Sequence, residues 1–421
     1  MKTRSWQWLG LLALAACGSP APTNAQEPSG SSLHANVPAT SPPFTTAAVA
    51  TFDSPWALDF LPGSTVALVT EKGGRLWLVD VANGQKQEVS GAPKVVAKGQ
   101  GGLLDVKVSP HFAEDNFVYL TFSEPSQNGG SQLALARGKL VRGASPALQG
   151  LTVIWRNPTG GQGGHFGARV AFAPDGNSLF LSAGERQRFM PAQDPNLPMG
   201  KVLHLALDGK PAPGNPGAGK TGAATVSVTD PPEDSVAAKN APARTFAWPG
   251  PNLTPAETWT NGHRNPLGLA FAPDGRLWEH EMGPRGGDEV NLILPGRNYG
   301  WPRVSNGSHY DGRPIPDHKP GDGYDPPKVW WNPVISPGGL MIYSGTVFPQ
   351  WKGDAFIGGL SSESLIRVHL DGTNASKGDQ WPMGHCIREA EQGPDGAIWL
   401  LSDGRRGGDG GLWKLTAKRR E

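Results

Sequence analysis

This sequence predicts an all-β protein, a six-bladed β-propeller of four-stranded antiparallel blades, and three observations carry that expectation. One phrase recurs along the chain: a short apolar strand, a turn centred on Pro-Asp-Gly or a variant, and a second strand. A third, amphipathic strand follows most copies, and no amphipathic helix intervenes. The composition agrees, with 58 Gly, 41 Pro and 15 Trp in 421 residues and only 18% charged side chains. Many tight turns, with aromatic rings filling the layers between sheets, need that balance.

The copies read in order as "LDFLPGSTVALVT", "VKVSPHFAEDNFVYLTF", "VAFAPDGNSLFLS", "LAFAPDGRLWEHE", "GLMIYSGTVFPQWKGDAFIGGL" and "REAEQGPDGAIWLLS". Proline presets the first turn torsion and Asp-Gly accepts the positive one, so the turn chemistry itself marks each hairpin. Third strands follow in "GRLWLVDV", "GKVLHLALDG", "DEVNLIL", "SLIRVHLDG" and "GGLWKLT". The unequal spacing reflects insertions into loops, one at Pro211–Ala243 and another at Asn298–Lys328. A β-sandwich, or a pair of smaller β domains, is the alternative this pattern leaves open.

Residues 1–17 read as an export signal: Lys2 and Arg4 precede the short apolar run Leu9–Ala16, which is too short to span a bilayer as a mature helix. The run ends in "LAAC", which resembles a bacterial lipobox. That resemblance implies that Cys17 becomes the acylated first residue of a periplasmic lipoprotein, and Gly18 favours sorting to the outer membrane. An ordinary signal peptide with a chance cysteine is the alternative. The chain has two cysteines, so an acylated Cys17 leaves Cys386 without a partner and the core without a disulfide. Residues 18–46 are rich in Pro, Ser, Ala and Thr and read as a flexible tether, leaving 47–418 for the propeller. A net charge of +1, with no Lys/Arg run outside the termini, argues against nucleic-acid binding.

In a propeller the innermost strands all run the same way around one axis, so their starting ends converge on one mouth. The residues ahead of those strands include Gln100, His165, Arg264, Asn265 and Arg388. Polar groups meeting at a concave opening define the expected site. His165 stands out, because "GGHFG" sets an ionisable ring among glycines, which let backbone or a ligand approach closely. A histidine bonded to a backbone carbonyl at a blade entrance is the plain structural reading of the same residue.

The same segments, from about Ser54 to Leu415, resemble the soluble pyrroloquinoline quinone (PQQ)-dependent sugar dehydrogenases, especially the bacterial aldose sugar dehydrogenase branch. The most specific stretch is "NGHRNPLGLAFAPDGRLWEHEMGPRGGDEVNLILPGRNYGWP", residues 261–302. The resemblance implies an enzyme that oxidises aldose sugars at the anomeric carbon to lactones and passes electrons to an external acceptor. It implies that His165 is the catalytic base, a task suited to a side chain that titrates near working pH. It assigns Arg264, Asn265, Gln100 and Arg388 to PQQ and its substrate. It further implies Ca²⁺ at the Gly283 and Pro284 carbonyls, with Glu289 and Tyr299 at calcium-binding positions; oxygen donors are what a hard cation takes. Glu185 is the second acid–base candidate, although a surface carboxylate paired with Arg186 or Arg188 is its simpler reading. His263 is expected to pack behind the site, and His385 has no assigned role.

Three positions depart from the family pattern. Ser361 stands where a lysine commonly meets the cofactor carboxylates, and Cys386-Ile387-Arg388 keeps one arginine of a pair. Compensation could come from Arg405, Arg406 or Lys201. Gly164 replaces an acidic residue of the glucose-oxidising branch, which removes an acceptor for a sugar hydroxyl and implies different selectivity. Two other readings stand beside the dehydrogenase: a non-catalytic propeller that binds carbohydrate or protein, and a calcium-dependent lactonase. The oligomeric state, monomer or dimer, is left open by the sequence.

Overall fold

The computed structural model describes residues 41–127, 129–229, 242–404 and 409–418. The signal peptide, Cys17, the tether up to residue 40, Arg405 and Arg406 lie outside the described residues. Six four-stranded antiparallel sheets form the blades, as the repeat predicts. From the axis outwards, blade 1 is Pro55–Phe60, Val66–Glu71, Leu76–Asp80 and Gln85–Glu88, and blade 2 is Leu103–Val108, Phe117–Pro125, Ser131–Val141 and Ala147–Arg156. Blade 3 is Gly167–Phe172, Ser178–Ala183, Lys201–Ala206 and Thr258–Asn261; blade 4 is Pro266–Phe271, Leu277–Glu281, Asp288–Ile293 and Val329–Trp331. Blade 5 is Pro337–Ile342, Ala355–Gly359, Ser364–Asp371 and Asn374–Pro382.

Blade 6 joins the two ends of the propeller. Cys386–Gln392, Ile398–Asp403 and Asp409–Ala417 are completed by Phe44–Asp53, which pairs antiparallel with Asp409–Ala417. Residues 44–46, read as tether, therefore belong to the sheet. Antiparallel closure by an early strand hides the edge that a final blade would otherwise expose. Phe44 and Phe52 are the buried anchors of this strand, Phe44 lying edge-on to Trp351 and Trp381.

A repeated hydroxyl device stitches neighbouring blades together. Thr70 Oγ1 accepts from Ala57 N (3.0 Å) and donates to Leu104 O of the next blade (2.7 Å). Thr121 does the same between Asp105 N and Ala168 O, and Ser182 between Arg169 N and Pro266 O. In each case the inner strand carries a bulge beside the hydroxyl residue. The bulge leaves an N–H that the sheet ladder cannot satisfy, so the hydroxyl answers it.

The axis is closed below the mouth. Arg169 of blade 3 pairs with Asp105 of blade 2 and Glu389 of blade 6, donates to Leu267 O of blade 4, and lies 4.0 Å from the Trp56 ring centre of blade 1. Beside it Lys107 pairs with Glu391 at 3.0 Å, and Asp59 Oδ2 accepts from Val108 N at 2.6 Å. The buried charges of Arg169, Asp105 and Glu389 partner one another, as burial requires. Cys386, at the start of the inner strand of blade 6, is buried and disulfide-bonded, which corrects the expectation of an unpartnered thiol.

Candidate active site

His165 sits just ahead of the inner strand of blade 3 with φ of +50°, a conformation that costs energy for a residue with a Cβ. Its Nδ1 lies 2.6 Å from Glu185 Oε1, and both side chains are buried. A carboxylate accepts only, so Nδ1 carries the proton and Nε2 is the basic nitrogen. Glu185 is itself fixed by Gln187 N (3.1 Å) on Oε1 and by Arg188 N and Phe189 N (2.5 Å) on Oε2. Burial raises its pKa against the opposing pull of Arg264 and those N–H groups. The reading of Glu185 as a surface carboxylate paired with a neighbouring arginine is therefore corrected. It is fully buried, and Arg186 and Arg188 reach backbone carbonyls such as Gly163 O and Thr229 O.

The glycines around His165 make room for the protein itself. A Cβ on Gly184 would lie 2.2 Å from His165 O, one on Gly163 would lie 2.7 Å from Arg186 O, and one on Gly164 would lie 2.7 Å from the Gln100 carboxamide. That carboxamide is in place for a reason: Gln100 Oε1 accepts from His165 N at 2.7 Å. Gln100 and the glycine before His165 are thus a fitted pair.

The link to blade 4 is direct. Glu185 N donates to Arg264 O at 2.9 Å, and Gly167 N to Asn265 Oδ1 at 3.2 Å. His165, Gln100, Arg264 and Asn265 therefore share one mouth. The Arg264 guanidinium donates to Met282 O (2.9 Å), Gly283 O (2.8 Å) and Tyr310 Oη (3.3 Å), and faces the rings of Trp301 and Tyr310. Both aromatic residues come from the second insertion, which folds back over this side of the opening.

Glu281, which the sequence reading passed over, holds the tripeptide His263-Arg264-Asn265. Its Oε2 accepts from Arg264 N and Asn265 N, and its Oε1 lies 3.1 Å from His263 Nδ1. His263 is buried behind the site, stacked on Tyr299 at 4.8 Å. Cross-strand register places Glu281 opposite Glu289 and Glu279 opposite Asn291. Desolvation, then the Glu281 charge, pushes Glu279 and Glu289 well above the usual carboxylate range. Glu279 Oε1 and Asn291 Oδ1 are buried without a partner. His263, Glu279 and Glu281 each bring a ligand atom within 4.8 Å of the others. An oxygen-rich buried cluster with orphaned acceptors is the chemistry a hard divalent cation satisfies.

The segment Gly283–Asp288 is a tight loop rather than a solvated turn. Asp288 Oδ1 accepts from Gly283 N (2.8 Å), and its Oδ2 accepts from Ile335 N and Ser336 N of the next blade (2.7 Å each). A Cβ at Gly283 would come within 2.3 Å of Gly286 O. Gly283, Glu289 and Tyr299 line one small cavity with Arg264 and Trp301, while Pro284 is not among its walls. The Tyr299 hydroxyl is spent on Leu292 O and Leu294 N, leaving its main-chain carbonyl as the conceivable ligand.

Arg388 reaches the rim from blade 6, where its guanidinium pairs with Asp403. Ser361 is exposed, and Lys201 is buried with its Nζ donating to Pro191 O, Ala192 O and Met199 O, so it offers no cation to the mouth. His385 stacks on Trp413 at 4.8 Å, away from the cluster.

The six blades thus bring a buried His–Glu pair, an arginine and a carboxylate cluster to one opening. The chain belongs to the family described as Glucose / Sorbosone dehydrogenase, whose sequence profile matches residues 52–228 and 239–414. It is 34% identical over 357 residues to the aldose sugar dehydrogenase YliI of Escherichia coli (strain K12), covering 83% of this chain and 87% of that one. Among solved structures it resembles a glucose dehydrogenase at 37% identity and TM-score 0.77, covering 89% of this chain and all of the other. The PQQ-bound form of an aldose sugar dehydrogenase from Streptomyces coelicolor is similar at 28% identity and TM-score 0.66, covering 89% and 98%.

Proposed function

We propose that this protein is a PQQ- and calcium-dependent aldose dehydrogenase of the bacterial envelope. The observation that carries the proposal is the His165–Glu185 pair, joined through Glu185 N to Arg264 at the same opening. Glu185 holds the imidazole in one tautomer and steadies the imidazolium once it forms. His165 Nε2 takes the proton of the anomeric hydroxyl as hydride leaves the anomeric carbon. Gln100 fixes the His165 backbone and offers its amide N–H to a sugar oxygen. When bound, PQQ supplies the hydride acceptor, with Ca²⁺ as Lewis acid. The residues that would hold PQQ are Arg264, Asn265, Gln100 and Arg388. The Gly283 and Pro284 carbonyls would hold one cation, and Glu289 with the Tyr299 carbonyl, beside Glu281 and Glu279, a second. The product is the lactone, and the electrons pass to an external acceptor.

Dye reduction by a panel of aldoses, after mixing the chain with PQQ and Ca²⁺, tests this reading. Activity with several aldoses, reduced about 10²- to 10⁴-fold by His165→Ala, is expected. Aldose-independent reduction, or full activity of the variant, rejects it. The missing cations at Ser361 and Cys386 favour a second reading, a propeller that binds carbohydrate without oxidising it. Glycan binding that survives chelation and His165→Ala, with no redox activity, selects that reading. The lactonase reading is weaker, since the axial carboxylates Asp105 and Glu389 are committed to Arg169. Delivery as a lipoprotein anchored at Cys17 remains part of the proposal. The intact mass of the mature chain tests for that acyl thioether.

A further inference from the structure

Lys72 follows the second strand of blade 1 at the mouth end, where Glu71 pairs with Pro55 at the start of the inner strand. Its backbone is pinned between blades: Lys72 N donates to Ser54 O at 3.0 Å, and Lys72 O accepts from Leu103 N at 3.1 Å. Its Nζ donates to Gly99 O at 3.0 Å, directly before Gln100. The Arg388–Asp403 pair of blade 6 acts on Lys72 electrostatically, with Asp403 at the matching strand end, opposite Cys386. Asp403 gives its Oδ2 to both Arg388 Nε and Nη2. An ammonium has three hydrogens to donate. Burial and the nearby Arg388 charge both lower the Lys72 pKa, and Asp403 only partly offsets them. Among the described residues, Lys72 and Arg388 share the charge of Asp403, which leaves a positive balance at the rim between blades 6 and 1. An incoming anion relieves it.

We propose that Lys72 and Arg388 form a carboxylate subsite at the mouth, with Lys72 standing in for the cations missing at Ser361 and Cys386. The carboxylate is one of those on PQQ or that of an acidic sugar; the first source rests on the functional reading above, the second does not. Charge-assisted hydrogen bonds are about twice as strong as neutral ones, so losing one should be measurable.

The test compares wild type, Lys72→Gln, Lys72→Arg and the exposed neighbour Lys98→Gln, all with Ca²⁺ present and all first checked for an unchanged melting temperature. PQQ binding is followed by tryptophan fluorescence, and glucuronate and glucose binding to the PQQ-free chain by calorimetry. Lys72→Gln should weaken PQQ about tenfold or more and flatten its salt dependence, while Lys72→Arg stays within about threefold and Lys98→Gln does not change. Unchanged PQQ binding with a selective loss of glucuronate over glucose assigns the subsite to an acidic sugar and also supports the proposal. If neither carboxylate ligand responds to Lys72→Gln, the proposal is overturned. Wild type that takes up no PQQ counts against the dehydrogenase reading, and the glucuronate measurement then decides Lys72 separately.

Discussion

His165 Nδ1 and Glu185 Oε1 stand 2.6 Å apart in a pocket that excludes solvent from both side chains. The carboxylate sets which imidazole nitrogen is basic, so Glu185→Gln should lower kcat roughly 10- to 100-fold with little change in KM. Because burial raises the Glu185 pKa, it takes up a proton at higher pH than an ordinary carboxylate as the solution is acidified. Activity should therefore fall on the acid side as Glu185 protonates, and Glu185→Gln should lose that contribution to the limb. The pH profile of kcat in the two proteins checks both statements; superimposable profiles would refute the pairing as functional.

Gly164 and Gln100 compete for one volume. Gly164→Ala places a Cβ within 2.7 Å of the Gln100 carboxamide, whose flexible end can move but then abandons His165 N. The expected result is a stability change within about 0.5 kcal/mol together with a several-fold rise in KM for sugars. Thermal melts and sugar titrations of the variant, with Gln100→Ala for comparison, make the measurement.

Arg169 is the knot of the axis. Arg169→Met leaves Asp105 and Glu389 buried without their cation, and should destabilise the fold by about 3–5 kcal/mol. Glu389, already raised to about 7 chiefly by burial, would protonate more readily still. The loss should therefore be smaller at pH 5 than at pH 8, as read by denaturant unfolding.

Glu257 gives a cleaner pH test away from the site. Buried beneath Trp155 Nε1, which donates to it at 3.0 Å, it is pushed from 4.5 up to about 7 by desolvation. A raised carboxyl pKa contributes stability that is complete below the unfolded value and lost as pH rises through the folded one. Glu257→Gln keeps an acceptor for Trp155 and should gain about 1–3 kcal/mol at pH 8 relative to wild type, with little gain at pH 4.5. Melting temperatures at the two pH values decide it.

The propeller was legible because its hairpins carry their own turn chemistry, from "LPGS" in blade 1 to "GPDG" in blade 6. The closing strand Phe44–Asp53 was not. Its Thr and Ala residues are mostly exposed and only Phe44 and Phe52 are buried, so no two-residue alternation marks it. His165 and Arg264 could be placed at one mouth from their positions ahead of inner strands. Glu185 was misread because its neighbours are arginines and nothing local tells that those side chains turn to carbonyls. Glu279 and Glu281 carried a usable signal, two carboxylates at two-residue spacing in a strand otherwise composed for burial. Lys72 carried none, since its neighbours Gly99 and Arg388 meet it only after the blades close into a ring.

The account depends on a single opening that holds a quinone cofactor against His165, and stoichiometric titration of the metal-depleted chain with PQQ tests it most directly. With Ca²⁺ restored, tryptophan quenching should saturate at one PQQ per chain, and Arg264→Met should weaken uptake about tenfold or more. A chain that takes up no PQQ, or an arginine variant that takes it up equally well, would contradict the account.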